Sequence, residues 1–171
     1  EAKAEPDLLA APIDGEIMLV REGYTCSYNT TTFQPNYVAW TLTPQKLEGT
    51  IKRSPNFYED PDLTKAQKSL LEDYYNSGFD RGHMAPNYAI ATRYGEEAQR
   101  LTFMMSNIAP QTPALNRGVW RDVEHRIADL WTARYGEIWV IVGCISGDRG
   151  GETVSGTDID VPGRFYQVVV A

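Results

Sequence analysis

Residues 80–87 read Asp80-Arg81-Gly82-His83-Met84-Ala85-Pro86-Asn87 and form the most informative segment of this chain. They include one of the two histidines in the protein, two residues after an arginine. A histidine with an ordinary pKa near ~6.5 accepts a proton at neutral pH. The planar guanidinium of arginine holds a phosphate or carboxylate through paired hydrogen bonds. Together the two side chains suggest phosphate-ester chemistry.

The composition is typical of a soluble globular domain. The chain has 171 residues, of which 42% are hydrophobic and 23% are charged, enough for one domain with a sizeable core. The net charge of -7 argues against a histone-like protein that coats nucleic acid, but it leaves room for an enzyme with a local cationic groove. No run of about 18 apolar residues occurs, so we expect no membrane-spanning segment.

The two ends of the sequence and its two cysteines allow further predictions. The chain begins at Glu1 without a signal-peptide pattern, which is consistent with a processed or trimmed protein. We expect a flexible arm at residues 1–15 and a single domain at 16–171. The last predicted strand reaches the final residue, so we expect that some C-terminal residues are missing. Cys26 and Cys144 either pair in an oxidising compartment or lie as free thiols on core strands.

Apolar periodicity predicts the order of strands and helices. Strands are predicted at seven places: residues 16–21, 24–28, 37–42, 79–86, 101–105, 137–144 and 166–171. A first helix is predicted at residues 63–75, because five apolar side chains there fall on one helical face: Leu63, Ala66, Leu70, Leu71 and Tyr74.

A second helix is predicted after residue 115 and ends near Gly136. Its apolar stripe consists of Val119, Val123, Ile127, Leu130 and Trp131. Asn116, Trp120 and Glu124 recur every four residues, so a helix that begins near Asn116 places them on one face. We expect that face to lie opposite the core and to line a cleft. The tryptophans could stack on bases, but most fit core patterns, and Trp120 is the only candidate for stacking.

Four blocks of the sequence, in order, resemble the DNA/RNA non-specific endonucleases. These are ββα-metal nucleases, a family that includes secreted bacterial sugar-non-specific nucleases and endonuclease G. The blocks are residues 27–29 with 37–40, residues 53–61, residues 80–86 and residues 106–124. The resemblance runs from about Gly23 to the C-terminus. It implies an α+β fold with a mostly antiparallel central sheet flanked by helices.

The resemblance also implies a catalytic site. His83 is expected to be the general base for the attacking water, and Arg53 and Arg81 to neutralise charge in the transition state. Asn116 is implied as the sole direct protein ligand of Mg²⁺, for which Mn²⁺ or another divalent cation could substitute. Three side chains are implied to hold the waters of the metal: Asn107, Gln111 and Glu124. The implied products carry 5′-phosphate and 3′-hydroxyl ends.

Several of these residues also have a simpler structural interpretation. Asparagine is a good helix cap, which would account for Asn116, and Glu124 fits a solvated helix charge. Arg81 fits a salt bridge to Asp80, and Asp80 itself is interpreted as structural. His125 is expected to be an exposed surface residue and not a second base.

The leading hypothesis is a metal-dependent endonuclease that binds DNA and RNA through phosphate and sugar. One rival is a nucleic-acid-binding module of the same fold with lost or partner-controlled activity. Another is a phosphodiesterase or phosphatase for small esters. The resemblance implies a secreted or periplasmic protein, with an organellar address as the alternative, and it is compatible with a homodimer.

Overall fold

A five-stranded antiparallel sheet forms the centre of the molecule. The computed structural model describes residues 15–147 and 149–171, so the predicted arm, apart from Gly15, lies outside the described residues. The sheet order is β1-β2-β3-β6-β7, with β1 at Glu16–Arg21, β2 at Tyr24–Asn29, β3 at Gln34–Leu42, β6 at Ile138–Ile145 and β7 at Arg164–Val170. A separate antiparallel pair consists of β4 at Asp80–His83 and β5 at Ile108–Gln111.

Helices lie against this sheet. Two short ones, α1 at Asn87–Tyr94 and α2 at Glu96–Leu101, follow β4. A longer helical segment, residues 113–135, begins after Thr112, whose side chain accepts a hydrogen bond from the Leu115 N–H, with Pro113 in the first turn. The segment is irregular: it contains wide π-type turns, and its backbone leaves the helical region at Gly118. The expected α+β fold with a mostly antiparallel sheet flanked by helices is confirmed.

The main core lies between the sheet and these helices. Val38, Trp40 and Val140 of the sheet pack in one cluster with Met84 and Ile90, which flank the start of α1. The helical segment contributes Trp120, Ile127 and Ala128 to the same cluster. The junction between β4 and α1 is therefore fixed from two sides. No helix in the described part of the chain has the length and apolarity needed to cross a membrane.

The helix predicted at residues 63–75 is wrong. The segment consists of turns and a single 3₁₀ turn at Glu72–Tyr74. Its apolar side chains do not share one face, because they serve two different cores. Leu63 packs in the main cluster, whereas Leu71 and Tyr74 pack in a second cluster around Met105 and Ile159.

The strand predicted at residues 101–105 is also wrong, and α1 and α2 were not predicted. Leu101 ends α2, a 3₁₀ turn occupies Met105–Asn107, and the strand follows at Ile108–Gln111. The strand predicted at residues 79–86 is confirmed in a shorter form, as β4. The apolar stripe of the second helix is confirmed only in part: Ile127 is buried, while Val119 and Leu130 are mostly exposed.

Both cysteines are free thiols. Cys26 lies on β2 and Cys144 on β6, and β3 separates these strands in the sheet. Neighbouring strands lie about 4.8 Å apart, so two strands on either side of a third are too distant for the Cα separation of a disulfide. Of the two alternatives, the structure matches the free thiols.

Candidate active site

His83 is the last residue of β4, and the chain that follows it is held by Asn107. The Asn107 backbone carbonyl accepts a hydrogen bond from the Met84 N–H at 2.9 Å. Its side-chain Oδ1 accepts from the Ala85 N–H at 2.9 Å, while its Nδ2 donates to the carbonyl oxygens of Ala85 at 3.0 Å and Thr102 at 2.9 Å. Asn107 therefore fixes the backbone directly beyond the candidate base.

These contacts give Asn107 a structural role, whereas Gln111 Nε2 and Oε1 have no hydrogen-bond partner among the described residues. That Asn107 and Gln111 hold waters of a metal stays a prediction. Both residues are fully buried and neither lines the cleft that contains His83. The Asn107 amide is occupied by backbone groups at both ends. The Gln111 side chain packs against Gly82, where an added Cβ would lie 2.4 Å from its Cδ and Oε1. Asn107 is a positioning residue for the His83 loop.

Two phenylalanine rings support the base and both predicted arginines. The His83 ring lies edge-on to Phe103, with 4.6 Å between centroids, and tilted against Phe57 at 5.4 Å. The Arg53 guanidinium lies 5.2 Å from the Phe103 centroid, and that of Arg81 lies 5.3 Å from Phe57. Sequence reasoning missed both rings. An aromatic face attracts a cation without neutralising it, so the arginines stay available to an anion.

Burial, reinforced by the nearby positive charge of Arg53, lowers the pKa of His83 to about 3. The imidazole is therefore neutral at pH 7. Its Nε2 is enclosed and has no hydrogen-bond partner among the described residues. A buried polar atom without a partner calls for an explanation, and His83 lines a cleft where a ligand could supply the partner.

Arg81 does not form the salt bridge to Asp80 that the sequence allowed. Its Nη2 donates to the carbonyl oxygen of Leu71 at 2.7 Å, and its guanidinium also lies 5.9 Å from the Tyr74 ring. These contacts hold the side chain at the edge of the cleft that it lines. Arg53 is exposed and reaches the same cleft from the loop after β3.

Asn116 is oriented by Asp80. Its Nδ2 donates to Asp80 Oδ2 at 2.9 Å, and the same carboxylate accepts two hydrogen bonds from Arg117, at 2.8 Å and 2.6 Å. The hydrogen bond from Arg117 keeps the pKa of Asp80 low. Because Thr112 caps the helical segment, the helix-cap interpretation of Asn116 is wrong. Because the side-chain nitrogen of Asn116 is bound to Asp80, its side-chain carbonyl oxygen is left as a free acceptor.

Glu124 lines the same cleft as Asn116. It is half-buried as a residue, and burial raises the pKa of its carboxyl group to about 8. A solvated surface glutamate would keep an ordinary pKa, so the interpretation as a solvated helix charge does not fit. A carboxyl group in this setting gains stability when a cation arrives, since the cation favours its ionised form.

The cleft has a volume of about 330 Å³ and brings four arginines together: Arg53, Arg81, Arg117 and Arg121. Sequence reasoning named the first two and missed the others. Glu124 is its only lining carboxyl group among the described residues. The signal for Arg117 and Arg121 was available, because they lie four residues apart beside Asn116 and Glu124 on one predicted helix. A cationic cleft thus exists in a chain whose net charge is -7.

Trp120 does not share the cleft face. Its side chain is 7% exposed, belongs to the main core and lies edge-on to Phe165 at 5.6 Å. The expectation that it stacks on bases is wrong, because the break at Gly118 disrupts the 3.6-residue period. His125 is exposed as expected, and it also lines the cleft, with its ring 4.8 Å from that of Tyr88.

The sequence of the chain matches a family model over residues 9–171, and that model describes the DNA/RNA non-specific endonucleases. The chain belongs to the DNA/RNA non-specific endonuclease family. Among similar proteins, the mitochondrial nuclease EXOG of Mus musculus is 34% identical over 158 residues, which is 86% of this chain and 42% of the relative. Nuclease C1 of Cunninghamella echinulata var. echinulata is 34% identical over 165 residues, covering 89% of this chain and 64% of the relative.

One solved structure is also similar to this chain. It describes an EndoG/EndoGI complex and the mechanism of EndoG inhibition. The TM-score is 0.78 at 28% identity, over 89% of this chain and 66% of that one. The chain therefore spans between about two fifths and two thirds of the length of these relatives.

Proposed function

We propose that this chain hydrolyses phosphodiester bonds inside DNA and RNA with the help of a divalent cation, Mg²⁺ in the first place. One observation carries the proposal: a neutral, desolvated His83 and the carbonyl-bearing side chain of Asn116 line a single cleft with four arginines. A base, a metal-binding oxygen and a set of anion-binding groups are the three components that metal-assisted phosphodiester hydrolysis needs.

His83 is proposed to take a proton from the attacking water. Its neutral imidazole is in the protonation state that a general base requires, but a pKa of about 3 makes it a weak base in the free protein. A bound phosphodiester brings negative charge next to Arg53 and opposes the effect of that arginine on His83. Burial is the larger cause of the low pKa and Arg53 the smaller, so the pKa of His83 is proposed to rise in part when the substrate binds, toward the range where a positioned base contributes about 10²–10⁴-fold.

Asn116 and Glu124 fit a cation that prefers oxygen ligands. The amide nitrogen of Asn116 is bound to Asp80, which leaves its carbonyl oxygen free to coordinate the cation. Glu124 offers a carboxylate for the waters of the cation. No group of three or more His, Cys, Asp or Glu residues in the described ranges forms a metal cage, and Mg²⁺ commonly binds through one or two protein groups. When bound, the cation would polarise the scissile phosphate and stabilise the leaving 3′ oxygen.

The arginines are proposed to bind different phosphates of the substrate. Arg53 and Arg81 lie beside His83 on the phenylalanine rings and would stabilise the charge that develops on the scissile phosphate. Arg117 and Arg121 lie on the helical segment and would bind neighbouring phosphates. Such contacts carry little sequence information, which supports activity on both DNA and RNA. Attack with departure of the 3′ oxygen gives 5′-phosphate and 3′-hydroxyl ends.

The test is digestion of supercoiled plasmid and of single-stranded RNA, with and without Mg²⁺. We expect cleavage of both substrates that needs Mg²⁺ and disappears in His83→Ala. Asp122→Ala is the matched control, because Asp122 is an exposed acid of the same helical segment that does not line the cleft. Binding without turnover by a folded protein would favour the binding module. Turnover of a small model ester alone would favour the small-ester hydrolase.

The names of the relatives bear on the cellular address. Several relatives carry mitochondrial names, which supports the organellar alternative over the secreted or periplasmic address implied by the resemblance. Imaging of the full natural protein in its own cells distinguishes the two. The homodimer stays a prediction, to be checked by mass measurement in solution.

A further inference from the structure

A second cavity adjoins the catalytic cleft. Its volume is about 360 Å³, near the lower end of the range for small-molecule sites. Three residues line both spaces: Arg53, Asn87 and Tyr88. Beyond them the walls include the apolar side chains of Leu47 and Ile51. A ligand anchored by its phosphate at Arg53 would therefore extend directly into a largely apolar space.

The ring of Tyr88 is held rigidly at the boundary. Its hydroxyl donates to the carboxylate of Asp129 at 3.1 Å and accepts from Lys46 Nζ at 3.0 Å. Lys46 in turn pairs with Asp129 at 2.7 Å. The His125 ring lies 4.8 Å away at an interplanar angle of 44°. A fixed aromatic ring loses little conformational freedom when a flat ligand stacks on it.

Two amides face the cavity as well. Asn87 and Gln99 both line it. Gln99 is 3% exposed, and its Oε1 accepts a hydrogen bond from the Ser54 N–H at 3.0 Å. None of the hydrogen bonds among the described residues involves Gln99 Nε2, so this donor is left for a ligand. Apolar walls, an aromatic face and a few amide groups suit a nucleobase, which has a flat face and a polar edge.

We propose that this cavity binds one unstacked nucleobase of the nucleotide next to the scissile phosphate, with the base stacked on Tyr88. The inference rests on the proposed nuclease function and names its substrate class. A base inside the cavity cannot remain paired or stacked in a duplex. Single-stranded DNA and RNA, and unpaired segments of duplexes, are therefore the preferred substrates. Every base has a flat face, so the site accepts all four.

The test uses a labelled single-stranded oligonucleotide in which one nucleotide lacks its base, with cleavage at each phosphate measured separately in Mg²⁺. In the wild-type protein, we expect cleavage of one phosphate beside the abasic position to fall by about 5- to 150-fold, the effect of losing one base–aromatic stack. Tyr88→Ala should slow cleavage at normal nucleotides by a similar factor and remove the contrast at the abasic one. Tyr88→Phe should retain the contrast, since it keeps the ring.

Ala91→Leu provides a second variant, because Ala91 lines the cavity and a larger side chain fills the space without removing Tyr88. It should behave like Tyr88→Ala.

Binding of the normal and abasic oligonucleotides is measured in parallel by fluorescence anisotropy without Mg²⁺. Equal cleavage on both sides of the abasic position, with equal binding of both oligonucleotides, would overturn the nucleobase site. If no substrate is cleaved but binding still depends on the base and on Tyr88, the site stands and the proposed hydrolysis fails.

Discussion

Asp80 accepts a hydrogen bond from the side-chain nitrogen of Asn116 at 2.9 Å, and this contact selects which end of the Asn116 amide faces the cleft. Removing the carboxylate should release Asn116 to rotate. Loss of a residue that orients a metal ligand typically lowers metal affinity or activity by about 10–100-fold. We therefore expect Asp80→Ala to need a higher Mg²⁺ concentration for half-maximal activity and to show at least a tenfold loss at fixed Mg²⁺.

The matched control for this variant is Asp122→Ala, which removes a carboxylate that pairs with Arg121 at 3.7 Å on the exposed side of the segment. It should leave the Mg²⁺ requirement unchanged. Circular dichroism checks that both variants are folded. An unchanged Mg²⁺ dependence in folded Asp80→Ala would contradict the orienting role of Asp80.

Glu124 should make Mg²⁺ binding depend on pH. Because its pKa is raised to about 8, the free protein carries this carboxyl group mostly protonated at pH 7, and a cation must displace the proton. Apparent Mg²⁺ affinity should rise by up to about tenfold per pH unit below pH 8 and level off above it. Calorimetric titrations at pH 6.5, 7.5 and 8.5 measure this. Glu124→Gln should flatten the profile, and a profile that survives the substitution assigns the proton to another group.

His83 should make folding stability depend on pH in the acidic range. Its pKa in the folded protein, about 3, lies below the ordinary value of about 6.5. Between these values the unfolded chain binds a proton that the folded protein does not. Stability should therefore fall as the pH drops from about 6.5 toward 3, by at most about 1.4 kcal/mol per unit. Urea unfolding at pH 7, 6 and 5 should show a smaller loss of unfolding free energy in His83→Gln than in the wild-type protein. If the unfolding free energy of both proteins falls equally with pH, His83 protonates freely in the folded state.

Asp60 should be important for stability, because it is a fully buried carboxylate that ties the arginine-bearing loop to β1. Arg21 Nη2 donates to both of its oxygens, at 3.0 Å and 2.8 Å, and Ser106 also donates to it. Breaking a buried ion pair typically costs about 3–5 kcal/mol, so we expect Asp60→Ala to lose about that much unfolding free energy in urea. Asp62→Ala removes the exposed partner of the same arginine and should cost about 0–1 kcal/mol. Similar losses of unfolding free energy in Asp60→Ala and Asp62→Ala would contradict the prediction that Asp60 is the more important partner of Arg21.

Gly82 should tolerate no side chain, since its added Cβ would lie within 2.5 Å of three side-chain atoms of Gln111. Overpacking of this kind costs about 1–3 kcal/mol. We expect Gly82→Ala to lower the melting temperature and to reduce activity by displacing the adjacent His83. Adding Gln111→Ala should recover part of the stability, because it removes the clashing atoms. A double variant no more stable than Gly82→Ala alone would point to a backbone cause.

The sequence predicted the parts of the site that short local segments determine. His83 and Arg81 lie on a predicted strand, and the resemblance supplied Arg53, Asn116 and Glu124. The sequence did not reveal the roles that depend on tertiary packing. The resemblance assigned Asn107 to the waters of the metal, and no sequence pattern indicated that the fold also binds its amide to backbone groups. Which of two roles an amide plays is decided by neighbours distant in the chain.

The same limit explains the errors in secondary structure. The apolar spacing at residues 63–75 imitates a helix because side chains buried in two separate clusters happen to recur at helical intervals. Trp120 does not lie on the expected face because the backbone departs from helical geometry at Gly118. Periodicity assumes a single straight element facing a single core, and both assumptions fail here.

The four arginines of the cleft place positive charge at one site on a molecule whose net charge is -7. Such a distribution is expected to draw a polyanion toward the cleft and to disfavour its approach from other directions. Orientation is thus selected during diffusion. Added salt should slow capture far more than it slows the chemical step.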